Sequence, residues 1–138
     1  MFHYPKRARI KKVSGRQAII NACLDLIREQ LKSERGNKCE ICGRTPNNLG
    51  LFHILPRSRY PRLMLNTFNL LLTDWFPCHQ KWHHDYFKAP EIEKRIIELR
   101  GADYKDRLLV IDKISPKLTI TYLKSYLKSL QKLKEVEG

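Results

Sequence analysis

From Gln17 to Glu34 apolar residues return at helical spacing: Ile20, Cys23, Leu24, Ile27 and Leu31. Arg28, Glu29 and Lys32 take the other side. This predicts an amphipathic helix with one stripe to bury. Cys23 falls inside the stripe, so it is expected to be a core thiol and not a ligand. Pro90 to Arg100 predicts a second helix, with Pro at its start and Gly101 just past its end. Ile92, Ile96, Ile97 and Leu99 would face its core. Asp103 to Ile114 predicts a third helix, and Ser115-Pro116 signals the start of a last one. Leu118, Tyr122, Leu123, Tyr126, Leu127, Leu130 and Leu133 form its stripe, suited to packing on the first helix or on a partner.

The middle of the chain reads differently. Gly36 to Gly50 is rich in turn residues, and Leu51 to Leu55 has the look of a short strand. Pro56 to Arg62 is a basic loop with two prolines, and Leu63 to Leu72 could supply a second strand and a loop. Cys78 to Phe87 favours a helix. The expected fold is therefore α+β and mainly helical. With 138 residues the chain should hold one domain. Residues 1–14 form a basic arm, 15–114 the domain with its flanking helices, and 115–138 a C-terminal helix.

Charge narrows the partners. There are 27 Lys+Arg against 14 Asp+Glu, a formal +13. Such an excess concentrates polyanions, and nucleic acid is the usual one. An anionic lipid surface is the other reading of charge alone. In the arm, Lys6, Arg7 and Arg9 could track a backbone or simply be solvated. No apolar run is long enough to span a bilayer, so no membrane partner is expected. The basic N-terminus has no apolar core behind it, as a secretory signal would. A cytoplasmic protein is expected, and there Cys23, Cys39, Cys42 and Cys78 argue for metal or burial over disulfides.

Three pieces carry candidate chemistry, in this order: Cys39-x-x-Cys42; Phe52-His53-Ile54; and Asn69 followed by Cys78-His79-x-x-x-His83. Two thiolates on a tight turn can reach one tetrahedral ion, and Gly43 suits the turn. A redox pair is the other reading of those cysteines. His79 and His83 stand at i and i+4, so both imidazoles can meet one metal on a helix face. Cys78 would point about a hundred degrees away around the helix. That lets one helix serve two ions; alternatively His79 or His83 completes a single zinc site. His53, at the end of an apolar strand, can hold an imidazole against a water beside a phosphate. Asn69 could hold either the loop or the imidazole by hydrogen bonds.

This pattern resembles the HNH, or ββα-metal (His-Me finger), endonucleases. Within them it is similar to the NinG/Rap family of lambdoid phages, which cleaves branched recombination intermediates. The likeness rests on the Cys39-Glu-Ile-Cys42-Gly-Arg knuckle, the His53 strand, the loop with Arg57 and Arg62, Asn69, the Cys78 helix and Tyr86. It spans about residues 17 to 130, but its specific motifs occupy only 39 to 84. The resemblance implies a ββα-metal core with a zinc knuckle. It implies His53 as general base, Asn69 as the Asn of the motif, and His79 and His83 as ligands of a catalytic Mg²⁺ or Mn²⁺. Cys39, Cys42 and Cys78 would be three of four structural Zn²⁺ ligands. It further implies a Holliday-junction-resolving DNA endonuclease of a bacterial or phage-infected cell, and a homodimer, since two strands need two active sites. Arg57, Arg59, Arg62 and Lys81 are placed to bind phosphates.

Two residues depart from that pattern. The position before the base often supplies a metal ligand in HNH enzymes; here it is Phe52, which cannot. The remaining zinc cysteine is missing, and only Asp74 stands near its place, leaving an oxygen donor or an incomplete zinc site. Other readings are a general HNH nicking endonuclease, a DNA-binding module that keeps the zinc scaffold without catalysis, and an assembly protein using the last helix.

Overall fold

A computed structural model describes residues 15–46, 48–74 and 89–137. The elements are α1 (Gly15–Arg35), β1 (Leu49–His53), β2 (Leu70–Asp74), α2 (Ala89–Arg100), α3 (Tyr104–Ile114) and α4 (Ile120–Glu137). The fold is α+β and mainly helical, as expected. The basic arm and the helix expected from Cys78 to Phe87 lie outside the described residues.

The two strands pair antiparallel, with Leu49 opposite Asp74 and His53 opposite Leu70. Side chains alternate across a strand, and each face of this small sheet meets different helices. Leu70 and Leu72 join the α1 stripe of Ile20, Cys23, Ile27 and Leu31, with Leu123 and Leu130 of α4. Leu71 joins Phe52, Ile92 and Ile96, with Tyr104 and Leu108 of α3. The sheet is thus a middle layer. That explains why Leu70-Leu71-Leu72 reads as an unbroken apolar run, as for a strand covered on both faces. Fully burying one such side chain is worth about 1.5–3 kcal/mol. Exposed pairs such as Arg28–Asp25 on α1 add only about 0.2–1 kcal/mol, so the apolar layers dominate. Cys23 is fully buried, and burial pushes its thiol pKa up; the core reading of that cysteine stands.

A two-stranded sheet leaves open edges. Here polar side chains close one. Glu40 accepts from the Leu72 amide and pairs with Arg35, while its own amide donates to the Leu72 carbonyl. Arg35 and Arg100 both donate to the Leu70 carbonyl. Arg95 of α2 donates to the Glu40 carbonyl at 2.9 Å. Apart from the Arg35–Glu40 pair, these bonds satisfy strand or turn groups that burial would otherwise leave costly.

Three expectations need correction. Strand β1 covers Leu49–His53 and not Leu51 to Leu55, because Leu55 leaves the ladder to bond the Asn69 side chain. The stretch Leu63 to Leu72 does supply a loop and a second strand: Pro61–Leu63 and Thr67–Asn69 are single 3-10 turns in the connection, and β2 follows from Leu70. Ile97 is 38% exposed, since Ile92 and Ile96 set the buried face and the next residue is turned about a hundred degrees from it. The last helix starts at Ile120 and not at Ser115-Pro116. Ser115 instead ends α3, its amide donating to the Ile111 carbonyl, and the Thr119 hydroxyl caps α4 by accepting from the Tyr122 amide. That leaves Leu118 in the turn ahead of α4, where Arg16 of α1 donates to its carbonyl. Helix α4 packs on α1, and Leu123, Tyr126, Leu127 and Leu130 of its stripe are core; Tyr122 and Leu133 of the same stripe are exposed.

Candidate active site

His53 ends β1, at the mouth of the loop 54–69. Its Nε2 lies 2.9 Å from the Met64 carbonyl. A carbonyl only accepts, so Nε2 carries the proton and donates. In the neutral ring Nδ1 is then a bare lone pair. Among the described residues Nδ1 has no hydrogen-bond partner. Burial holds the His53 pKa below its ordinary value; the Met64 bond opposes this, and nearby Arg57 lowers it further. The result is a neutral imidazole of fixed tautomer at neutral pH.

Asn69 explains why the loop holds this shape. It is 0% exposed. Its Oδ1 accepts from the Leu55 amide at 2.8 Å, and its Nδ2 donates to the carbonyls of Leu55 at 3.0 Å and Leu63 at 3.4 Å. Of the two roles open to it in the sequence, Asn69 holds the loop and not the imidazole. It braces both ends of the 55–63 turn just before the chain reaches Met64. It is a positioning residue, one step removed from the ring.

Arg57 and Arg59 are exposed on that loop and Arg62 is half-buried. Among the described residues, none of the three has an acidic partner. Arg57 is near enough to act on the His53 ring.

The cysteine turn sits against β2. The Cys39 amide donates to the Arg44 carbonyl, and the Gly43 amide to the Cys39 carbonyl at 2.9 Å. Gly43 takes φ 77°, a left-handed conformation that costs glycine little. Cys39 is 1% exposed and packs with Leu49, whereas Cys42 is exposed. Glu40 pairs with Leu72 in the middle of β2, and Cys39 packs on Leu49, which stands opposite half-buried Asp74. Among the described residues no three His, Cys, Asp or Glu side chains gather as a metal site. Cys78, His79, Lys81, His83 and Tyr86, with Lys6, Arg7 and Arg9, lie outside the described residues. Phe52, 1% exposed, points into the core with Leu71 and Ile96.

Sequence reasoning missed the group that holds His53, the Met64 carbonyl. A backbone acceptor leaves no signature in residue type. It also missed Glu40, Arg35, Arg95 and Arg100, which fasten the knuckle and α2 to β2. A charged residue between two cysteines was the one hint.

Comparison with protein-family models, curated proteins and solved structures finds no match for this chain. Among the described residues no helix is long and apolar enough to cross a membrane.

Proposed function

We propose that this chain is a metal-dependent DNA endonuclease of the HNH type, built on a ββα-metal core and selective for branched DNA. One observation carries the reading: an imidazole at a strand end, fixed by Nε2–H to the Met64 carbonyl, with no partner for Nδ1 among the described residues and the ring's pKa lowered. That is the state a general base needs. Nδ1 of His53 takes a proton from a water, whose oxygen attacks the phosphorus in line. The phosphorus–oxygen bond to the sugar breaks, leaving a 5′-phosphate and a 3′-hydroxyl that takes up a proton. Arg57, Arg59 and Arg62 bind neighbouring phosphates and bring the strand to the base.

The residue types suit the metals this reading needs. His79 and His83 would hold the Mg²⁺ or Mn²⁺, which supplies charge stabilisation on the phosphate and the leaving oxygen. Cys39, Cys42 and Cys78, with Asp74 as an oxygen donor, would hold Zn²⁺. The Gly43 turn supports the cysteine pair, since it carries both residues on one loop.

His53→Ala tests the proposal. Cleavage of a four-way junction or fork with Mg²⁺ or Mn²⁺ should fall by at least about a hundredfold, as for loss of a general base, while DNA binding persists. Unchanged cleavage removes His53 from the mechanism. The buried Phe52 favours a second reading, a DNA-binding module without catalysis. Under it the wild-type chain binds junctions and cuts none with Mg²⁺, Mn²⁺ or Zn²⁺.

A further inference from the structure

The loop that holds His53 has a second side. One residue beyond Met64 the chain turns into a pocket of about 200 Å³, lined by Arg62, Leu65, Asn66 and Thr67 and by Tyr122 and Tyr126 of α4. It is smaller than the ~300–1,000 Å³ of a drug-sized site, a volume for one planar ring system. The two tyrosines are one helical turn apart, with ring centroids at 6.1 Å and planes at 16°, within the offset-stacking range. Tyr126 is half-buried beneath, and Tyr122 is 37% exposed. The pair therefore offers an aromatic platform whose accessible member is Tyr122.

The polar groups around it are those a nucleotide needs. Asn66 uses its Oδ1 to accept from the Phe68 amide, which leaves its NH₂ able to donate. Arg62 has no acidic partner among the described residues, and it lies on the same loop as Arg57 and Arg59. We infer that this pocket binds an unpaired nucleobase of the DNA strand whose phosphates pass His53. The base stacks on Tyr122, Asn66 donates to a carbonyl or ring nitrogen on its edge, and Arg62 takes the adjoining phosphate. The choice of DNA as the occupant rests on the nuclease reading. The consequence is selectivity: a base within a duplex is not free to enter, whereas one at a branch point or gap is. Stacking tolerates every base, so structure is read and sequence is not.

The test uses the full chain with His53 intact and no added Mg²⁺ or Mn²⁺, so that binding is seen apart from cleavage. The probes are a duplex and the same duplex opened to a short single-stranded gap, each with 2-aminopurine at the central position. Wild type should bind the gapped DNA more tightly and change its 2-aminopurine emission. Tyr122→Leu, which keeps apolar bulk without a π-face, should lose about fivefold or more on gapped DNA and nothing on duplex. Tyr122→Phe should bind as wild type. An equal loss on both DNAs, or no loss for Tyr122→Leu, overturns the pocket assignment. Cleavage of the gapped DNA with Mg²⁺ is scored separately. A wild-type chain that binds and never cuts defeats the nuclease reading and leaves the pocket standing; a chain that cuts while Tyr122→Leu binds normally defeats the pocket alone.

Discussion

Replacing Asn69 by alanine removes the brace of the His53 loop, and the structure gives the size of the effect. Three hydrogen bonds disappear, to the Leu55 amide, the Leu55 carbonyl and the Leu63 carbonyl. A typical bond contributes ~0.5–1.5 kcal/mol net, and more is lost where a buried partner is stranded. The bond at 3.4 Å belongs at the low end, and half-buried Leu55 can recover some solvation. The expected destabilisation is about 2–4 kcal/mol. Unfolding entropy of roughly 2.1 cal/mol/K per residue then converts this to a Tm loss of about 7–14 °C. Urea melts of wild type and Asn69→Ala supply the free energy, and a histidine NMR titration supplies the second readout. As the loop loosens, water reaches the ring, the burial that lowers the His53 pKa weakens, and that pKa should climb toward its ordinary 6.5. A Tm within about 2 °C of wild type would refute the reasoning, by showing that water or neighbouring groups replace the amide at little cost.

Other predictions follow from the same loop and from the knuckle. Because the folded His53 pKa lies below its unfolded 6.5, the unfolded chain binds that proton more tightly. The stability contribution is therefore intact above that value and lost as pH falls below it, and the acid limb of cleavage should likewise sit below 6.5. Arg57→Gln should raise the His53 pKa, moving that limb upward, and should reduce the salt slope of DNA binding by about one; a pH–rate profile and a salt titration check both. For the knuckle, elemental analysis of the purified chain should find about one zinc per molecule. Cys39→Ser should lose it and melt earlier, whereas Cys23→Ser should keep it, since that thiol is buried in the helix stripe.

The periodic stripes were legible before any coordinates: α1, α2 and α3 begin and end within two residues of where apolar spacing, Pro90 and Gly101 place them. His53, Asn69 and the cysteine pair could be singled out as candidates from residue type and spacing, but the bonds that hold them could not. Boundaries decided by cross-chain bonding were not legible either. Leu55 reads as strand, and only its pairing with Asn69 takes it out of the ladder. Ser115-Pro116 reads as a helix start, and only the Ser115 bonds to Ile111 make it an end.

Residue identity and spacing alone determined which side chains could do chemistry here and which faces had to be buried, since both follow from local geometry. The tertiary structure alone decided the state of the His53 ring. Its tautomer depends on the Met64 carbonyl, its pKa on burial and on Arg57, and its loop on an amide sixteen residues further along the chain. A backbone acceptor has no residue code, and desolvation belongs to everything packed around a group, so neither can be read from the order of amino acids.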